Sequence, residues 1–172
     1  MSIDVGVVVA AMRRLLDEVG VAATTMSNTL PERQYVTTGG AVYDCAQVSV
    51  SATSIATGIA GSPDAGQAVA NCGPGWNVLL EIAIVRDANE SMVTRGRRTT
   101  VAPKVEDIEI DTVQADMDAA SLTKAVETIA GPDWDQYGSV PASIQFGDVE
   151  GGLTAVVLTV TLNLWSFPPE TP

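Results

Sequence analysis

The chain has 172 residues, 46% hydrophobic but only 5% aromatic, and its 9 Lys+Arg against 21 Asp+Glu give a formal charge of −12 with no histidine to alter it. That length suits one hydrophobic core and one domain over residues 1–172, built from Val, Ile, Leu and Ala, a composition that favours strands and small-residue packing. The net field excludes tight nonspecific DNA binding; Cys45 and Cys72, without any histidine, exclude zinc; and no apolar run approaches the ~20 residues that span a bilayer.

The opening MSIDVGVVVAAMRRLL has no basic leader before its apolar run and carries Arg13 and Arg14 directly after it, so it does not read as a secretory signal. Both thiols are then expected to be small buried hydrophobes in a reducing cytoplasm. Val5, Val8, Val9, Met12, Leu15, Leu16 and Val19 recur at helical spacing and predict an amphipathic helix from Ile3 to Val19, capped by Ser2 or Asp4 and closed by Gly20 in the left-handed position. A polar connection, Ala22 to Asn28, leads to Pro31 and a short extended segment, Gln34 to Thr38, with Gly39 and Gly40 read as a hairpin turn. In the second arm Val42, Ala46, Val48, Val50 and Ala52 share one parity and Gln47, Ser49 and Ser51 the other, so one face is expected in the core and one wet or against a polar partner.

Gly58 to Gly75 reads as a loop with one short helix around Ala65 to Ala70. Trp76 to Arg86 is a strand apolar on both faces and therefore central. From 88 to 111 periodicity vanishes and charge splits: Arg95, Arg97, Arg98 and Lys104 precede Glu106, Asp107, Glu109 and Asp111, which predicts a long charged arm, either disordered in the free monomer or deliberately extended. Ala115, Ala119, Leu122, Val126 and Ile129 define a second helix from Thr112, stopped by Gly131-Pro132, with Asp116 and Asp118 near its positive end. A loop with Trp134 and Tyr137, a short strand Ser143 to Phe146, a Gly151-Gly152 turn and a last strand Leu153 to Phe167 follow, and 168–172 is a flexible tail. The fold expected is α+β: a mixed or antiparallel sheet of about five strands packed with two main helices.

No catalytic, cofactor or metal residues are assigned. Histidine, the commonest general acid-base group, is absent, the glycine pairs fit neither a phosphate loop nor a dinucleotide fingerprint, and the carboxylates concentrate in the arm. An enzyme with an unrecognised carboxylate site stays open and predicts a deep polar cleft. The Arg95 to Arg98 cluster suits a nucleic-acid patch, a contact with the acidic surface of a neighbouring copy, or solvated loop charge, and Asp44 an assembly salt bridge or an ordinary edge charge. The residues expected at a subunit interface are Arg95, Arg97, Arg98, Lys104, Glu106, Asp107, Glu109 and Asp44.

The run LPERQYVTTGGAVYDCAQVSV, then Asn71-Cys72-Gly73-Pro74, then a strand ending Ile84-Val85-Arg86-Asp87, resembles neck proteins of the tail-terminator type from siphophage-like tailed phages of actinobacteria. The resemblance covers roughly Leu30 to Ile129. It implies a virion protein, assembled in the host cytoplasm, that forms a hexameric ring on the last ring of the tail tube, stops tube growth and docks to the head-tail connector, with DNA passing through the lumen unbound. It implies no cofactor and no membrane partner. A head-completion stopper on the portal side and a tail-tube subunit are the alternatives of similar architecture.

Overall fold

A computed structural model describes residues 5–58, 75–88, 105–129, 137–149 and 152–165. Helix α1 (Val5–Thr25) is followed by β1 (Gln34–Thr37), β2 (Gln47–Gly58), β3 (Gly75–Asp87), α2 (Val105–Ile129), β4 (Tyr137–Val149) and β5 (Leu153–Trp165). The strands form one mixed sheet in the order β1-β2-β3-β5-β4, with β1 parallel to β2 and every other pair antiparallel. The α+β class, two helices and five strands are thus as the sequence predicts.

Both helices cover one face of the sheet. Alternation puts Val48 and Val50 of β2, Leu80 and Ile82 of β3, and Leu158 and Val160 of β5 on that face, where they meet Met12, Leu15 and Val19 of α1 and Leu122, Val126 and Ile129 of α2 in the main core. The central position expected for the Trp76–Arg86 strand holds: β3 lies between β2 and β5, and its second face is buried at Ala83 and Val85 beneath a smaller cluster that includes Tyr43. The face of Gln47, Ser49 and Ser51 is not wet. All three are buried, Gln47 donates to the Val42 carbonyl (2.6 Å) and the Tyr35 hydroxyl (3.0 Å), and Ser49 Oγ has no hydrogen-bond partner.

Several boundaries differ from the sequence reading, each for a local reason. Helix α1 runs through Gly20 to Thr25, because Ala22 and Ala23 extend the buried stripe and their packing outweighs the roughly 1 kcal/mol helical cost of one glycine. The left-handed residue is Ser27 (φ 56°), and the segment expected as a polar connection ends in a buried Asn28. Gly39-Gly40 does not turn a hairpin. Since β1 and β2 are parallel, the connection 38–46 must carry the chain back to the start of β2; neither glycine has a positive φ, and Val42 is exposed instead of facing the core. A register shift between Ala52 and Ser54 moves Ile55 onto the parity of Val78.

Helix α2 begins seven residues before Thr112, so 105–111 are helical and only 89–104 of the expected arm falls outside the described residues. Glu106 and Asp107 occupy its first turn, where carboxylates stabilise the positive helix end. Asp116 and Asp118 are mid-helix, not near that end. Strand β4 is thirteen residues long where four were expected, takes in Tyr137, and accommodates Pro141 as an edge strand with a register shift beside it. Gly152 (φ +78°) makes the turn into β5. The expected short helix at 65–70, Trp134 and the 168–172 tail lie outside the described residues.

Candidate interaction surface

At the C-terminal end of β3 the apolar alternation closes with Arg86, and that guanidinium ties three elements together. Its Nε and Nη2 donate to the two carboxylate oxygens of Asp118 on α2 (2.6 and 2.7 Å), a bidentate pair in which Asp118 is 2% exposed and Arg86 21%. Nη2 also donates to Asn28 Oδ1 (3.2 Å) and to the Thr29 carbonyl (2.9 Å), fixing the chain that leaves α1. Asn28 Nδ2 donates in turn to Asp118 Oδ1 (2.9 Å) and Ser121 Oγ (3.0 Å), and Gln114 Nε2 to Asn28 Oδ1 (2.8 Å). With both oxygens of Asp118 accepting hydrogen bonds, this carboxylate positions helix against strand. Sequence reasoning missed the node. The available signal was the spacing of Asp118 to Leu122 and Ala125, which puts it on the buried stripe of α2.

Next to this node the sheet and α2 part to leave a groove of about 500 Å³, lined by Ile84, Asp87, Phe146 and Val156 on the sheet side and Ile108, Ile110 and Asp111 on the helix side. The helix that roofs it overhangs the core. At the C-terminal half of α2 Leu122, Val126 and Ile129 are at most 4% exposed, whereas Val105, Ile108, Ile110 and Val113 are 50–70% exposed, and Phe146 across the groove is 59%. The same stretch carries Glu106, Asp107, Glu109 and Asp111 and no basic residue. Exposed apolar surface of this kind occurs where a protein, a membrane or a ligand binds.

The predicted interface residues separate. Glu106, Asp107 and Glu109 stand together at the start of α2, beside the groove; Arg95, Arg97, Arg98 and Lys104 lie outside the described residues. Asp44 is not inside a strand but in the bend before β2, where it pairs with Arg33 of its own chain (2.9 Å) with both side chains more than half exposed, an arrangement worth little by itself. Cys45 is a half-buried free thiol whose Sγ accepts from Arg33 (2.8 Å), and Cys72 is outside the described residues. Among the described residues no group of three His, Cys, Asp or Glu is placed to hold a metal, and no helix is long and apolar enough to cross a membrane.

On the opposite face the Tyr43 hydroxyl donates to the Glu81 carboxylate while its ring packs with Ala83, Val85, Leu153 and Ala155. Burial, and then the bond to Glu81, push the phenol above its usual range. A raised phenol pKa means that the folded state keeps a proton the unfolded chain loses near pH ~10, so the stabilisation is complete below that pH and fades as pH rises beyond it. Urea midpoints measured from pH 8 to 11 should therefore fall more steeply in the wild type than in Tyr43→Phe. Parallel curves would show that Tyr43 titrates as it does when unfolded.

No protein-family model matches the sequence, and no curated protein does. Among solved structures, a chain from the virion of a native gene transfer agent particle is similar at 13% identity over 91% of this chain and 96% of that chain, with a TM-score of 0.41. A likeness at that level carries no argument about family or function, so the surface itself must supply one.

Proposed function

We propose that the chain is a structural virion protein of the phage neck, a tail terminator whose ring caps the tail tube and joins it to the head connector. The observation that carries an assembly role is the overhang of α2, whose C-terminal half is core at Leu122 and Ile129 while its first turns leave Val105, Ile108, Ile110 and Val113 50–70% exposed. Leaving such apolar surface in water is unfavourable by roughly 25 cal/mol per Å², and a partner removes that cost. The assignment to the neck rests on the sequence resemblance of Leu30 to Ile129.

In this reading no bond is made or broken. Six copies close a ring through two different surfaces on each copy, as a head-to-tail contact requires. The charge blocks Arg95, Arg97, Arg98, Lys104 and Glu106, Asp107, Glu109 contribute to those contacts, and Asp44, paired with Arg33 of its own chain, is a further candidate. The chain's net charge of −12 suits a lumen through which DNA slides without adhering.

The test is electron microscopy of the purified chain mixed with tail tubes and, separately, with connector rings. A ring seated on one end of the tube is the expected result. Binding to connector rings alone would make it a stopper, unaided growth into long tubes would make it a tube subunit, and no association with either component would overturn the neck reading.

A further inference from the structure

The connection from β1 to β2, residues 38–46, is a strap across the face of the sheet opposite the helices. Parallel strands are commonly joined through a helix, whereas this link contains neither helix nor strand. Among the described residues, no backbone–backbone hydrogen bond holds it. Side chains fasten it instead. Gln47 Nε2 and the Tyr35 hydroxyl donate to the Val42 carbonyl (2.6 and 3.3 Å), the Tyr43 hydroxyl donates to the Glu81 carboxylate, and Arg33 donates to Asp44 (2.9 Å) and Cys45 (2.8 Å). Its apolar hold is the Tyr43 ring against Ala83, Val85, Leu153 and Ala155, while Val42 is 67% exposed.

Beneath the strap the sheet is polar. By alternation Tyr35, Gln47, Ser49, Ser51, Glu81 and Ala83 share this face, and Gln47, Ser49 and Ser51 are fully buried on it. Ser49 stands in register between Tyr35 and Ala83, and its hydroxyl finds no partner among the described residues. A buried hydroxyl without a partner disfavours the closed arrangement, since water satisfies it once the strap lifts. The other face of the same strand is the reverse, with Val48 and Val50 buried in the main core against the helices. The strap is thus held by a few side-chain contacts over an unsatisfied group, while the sheet below is held by its ladders and by the core behind it. We infer that residues 38–46 open as a unit from the folded sheet, baring Gln47, Ser49 and Ser51 while the core stays folded. Opening of this kind needs less free energy than global unfolding. It stands apart from the neck reading.

Thiol labelling tests it. The full chain with Cys45→Ser and Cys72→Ser carries either Ser49→Cys, under the strap, or Val50→Cys, one residue on and facing the core. Each is treated with an aryl disulfide, at concentrations where the rate rises linearly with reagent, and circular dichroism checks that it is folded. The Ser49→Cys chain should react at least about tenfold faster than the Val50→Cys chain. Leu122→Ala weakens the core on the helix side, so it should speed the Val50→Cys chain by about tenfold or more and leave the Ser49→Cys chain unchanged, because it destabilises closed and open forms alike. Tyr43→Phe, which removes the bond to Glu81, should speed the Ser49→Cys chain about tenfold. Equal acceleration of both chains by Leu122→Ala would mean that the strap lifts only on global unfolding, and overturns the inference. Reaction of the folded Ser49→Cys chain as fast as in denaturant would mean that no strap closes over Ser49, and overturns it too. Ser51→Cys, buried on the same face, takes the place of Ser49→Cys if that chain does not fold.

Discussion

Asp118→Ala should destabilise the fold by about 3 kcal/mol, the lower end of the cost of removing one partner from a buried ion pair. The remaining Arg86 guanidinium would stay in a site built around a carboxylate, 21% exposed and able to recover only part of its hydration. Asn28 and Gln114 would also lose an acceptor, so α2, β3 and the exit from α1 loosen together. Urea denaturation followed by circular dichroism measures this, and for a chain of this size the expected fall in Tm is about 6–12 °C. The double variant Asp118→Leu with Arg86→Met should recover much of the loss, since an apolar pair leaves no orphaned charge. A single variant within about 0.5 kcal/mol of the wild type would show that the node adds nothing to stability.

Leu80→Ala should cost a similar amount for a different reason. Leu80 is fully buried on the central strand, flanked in register by Ala52 of β2 and Val160 of β5 and roofed by both helices. Neighbouring backbone is held by two ladders and collapses little, so lost transfer energy and a residual cavity add to about 3 kcal/mol. Phe146→Ala is the informative contrast. It removes a larger side chain, but one that is 59% exposed on an edge strand, so the isolated chain should lose under about 0.5 kcal/mol. A large loss on Phe146→Ala in the monomer would show that the groove closes over this ring without a partner.

What was legible in the sequence is traceable to local rules. Alternation over Val78 to Ile84 and Val156 to Leu162 found β3 and β5 because each strand is long and its buried parity unbroken. Val8, Met12, Leu15 and Val19 found α1 for the same reason at helical period. The start of α2 was hidden because Val105, Ile108, Ile110 and Val113 do not form one core stripe and their neighbours are acidic, so a helix that overhangs the core reads as an irregular arm. Strand β4 was hidden by Pro141 and Gly147; the proline is tolerated because the strand is at an edge with a register shift beside it, and the glycine merely lowers strand preference. From the sequence Asp118 reads as a carboxylate near the positive end of a helix, since a single carboxylate on a buried stripe is interpretable only once its cation is known.

Composition and periodicity by themselves determined the class, the order of elements, the apolar β core and the excess of negative charge, because these depend on residue type and on spacing along one element. Tertiary structure alone decided that β1 runs parallel to β2 and that Arg86 meets Asp118 and Asn28, with Asn28 bonded in turn to Gln114 and Ser121. Those features join residues as far as 93 positions apart. Chain direction and helix register are fixed by packing between elements, and no pattern within one element encodes them.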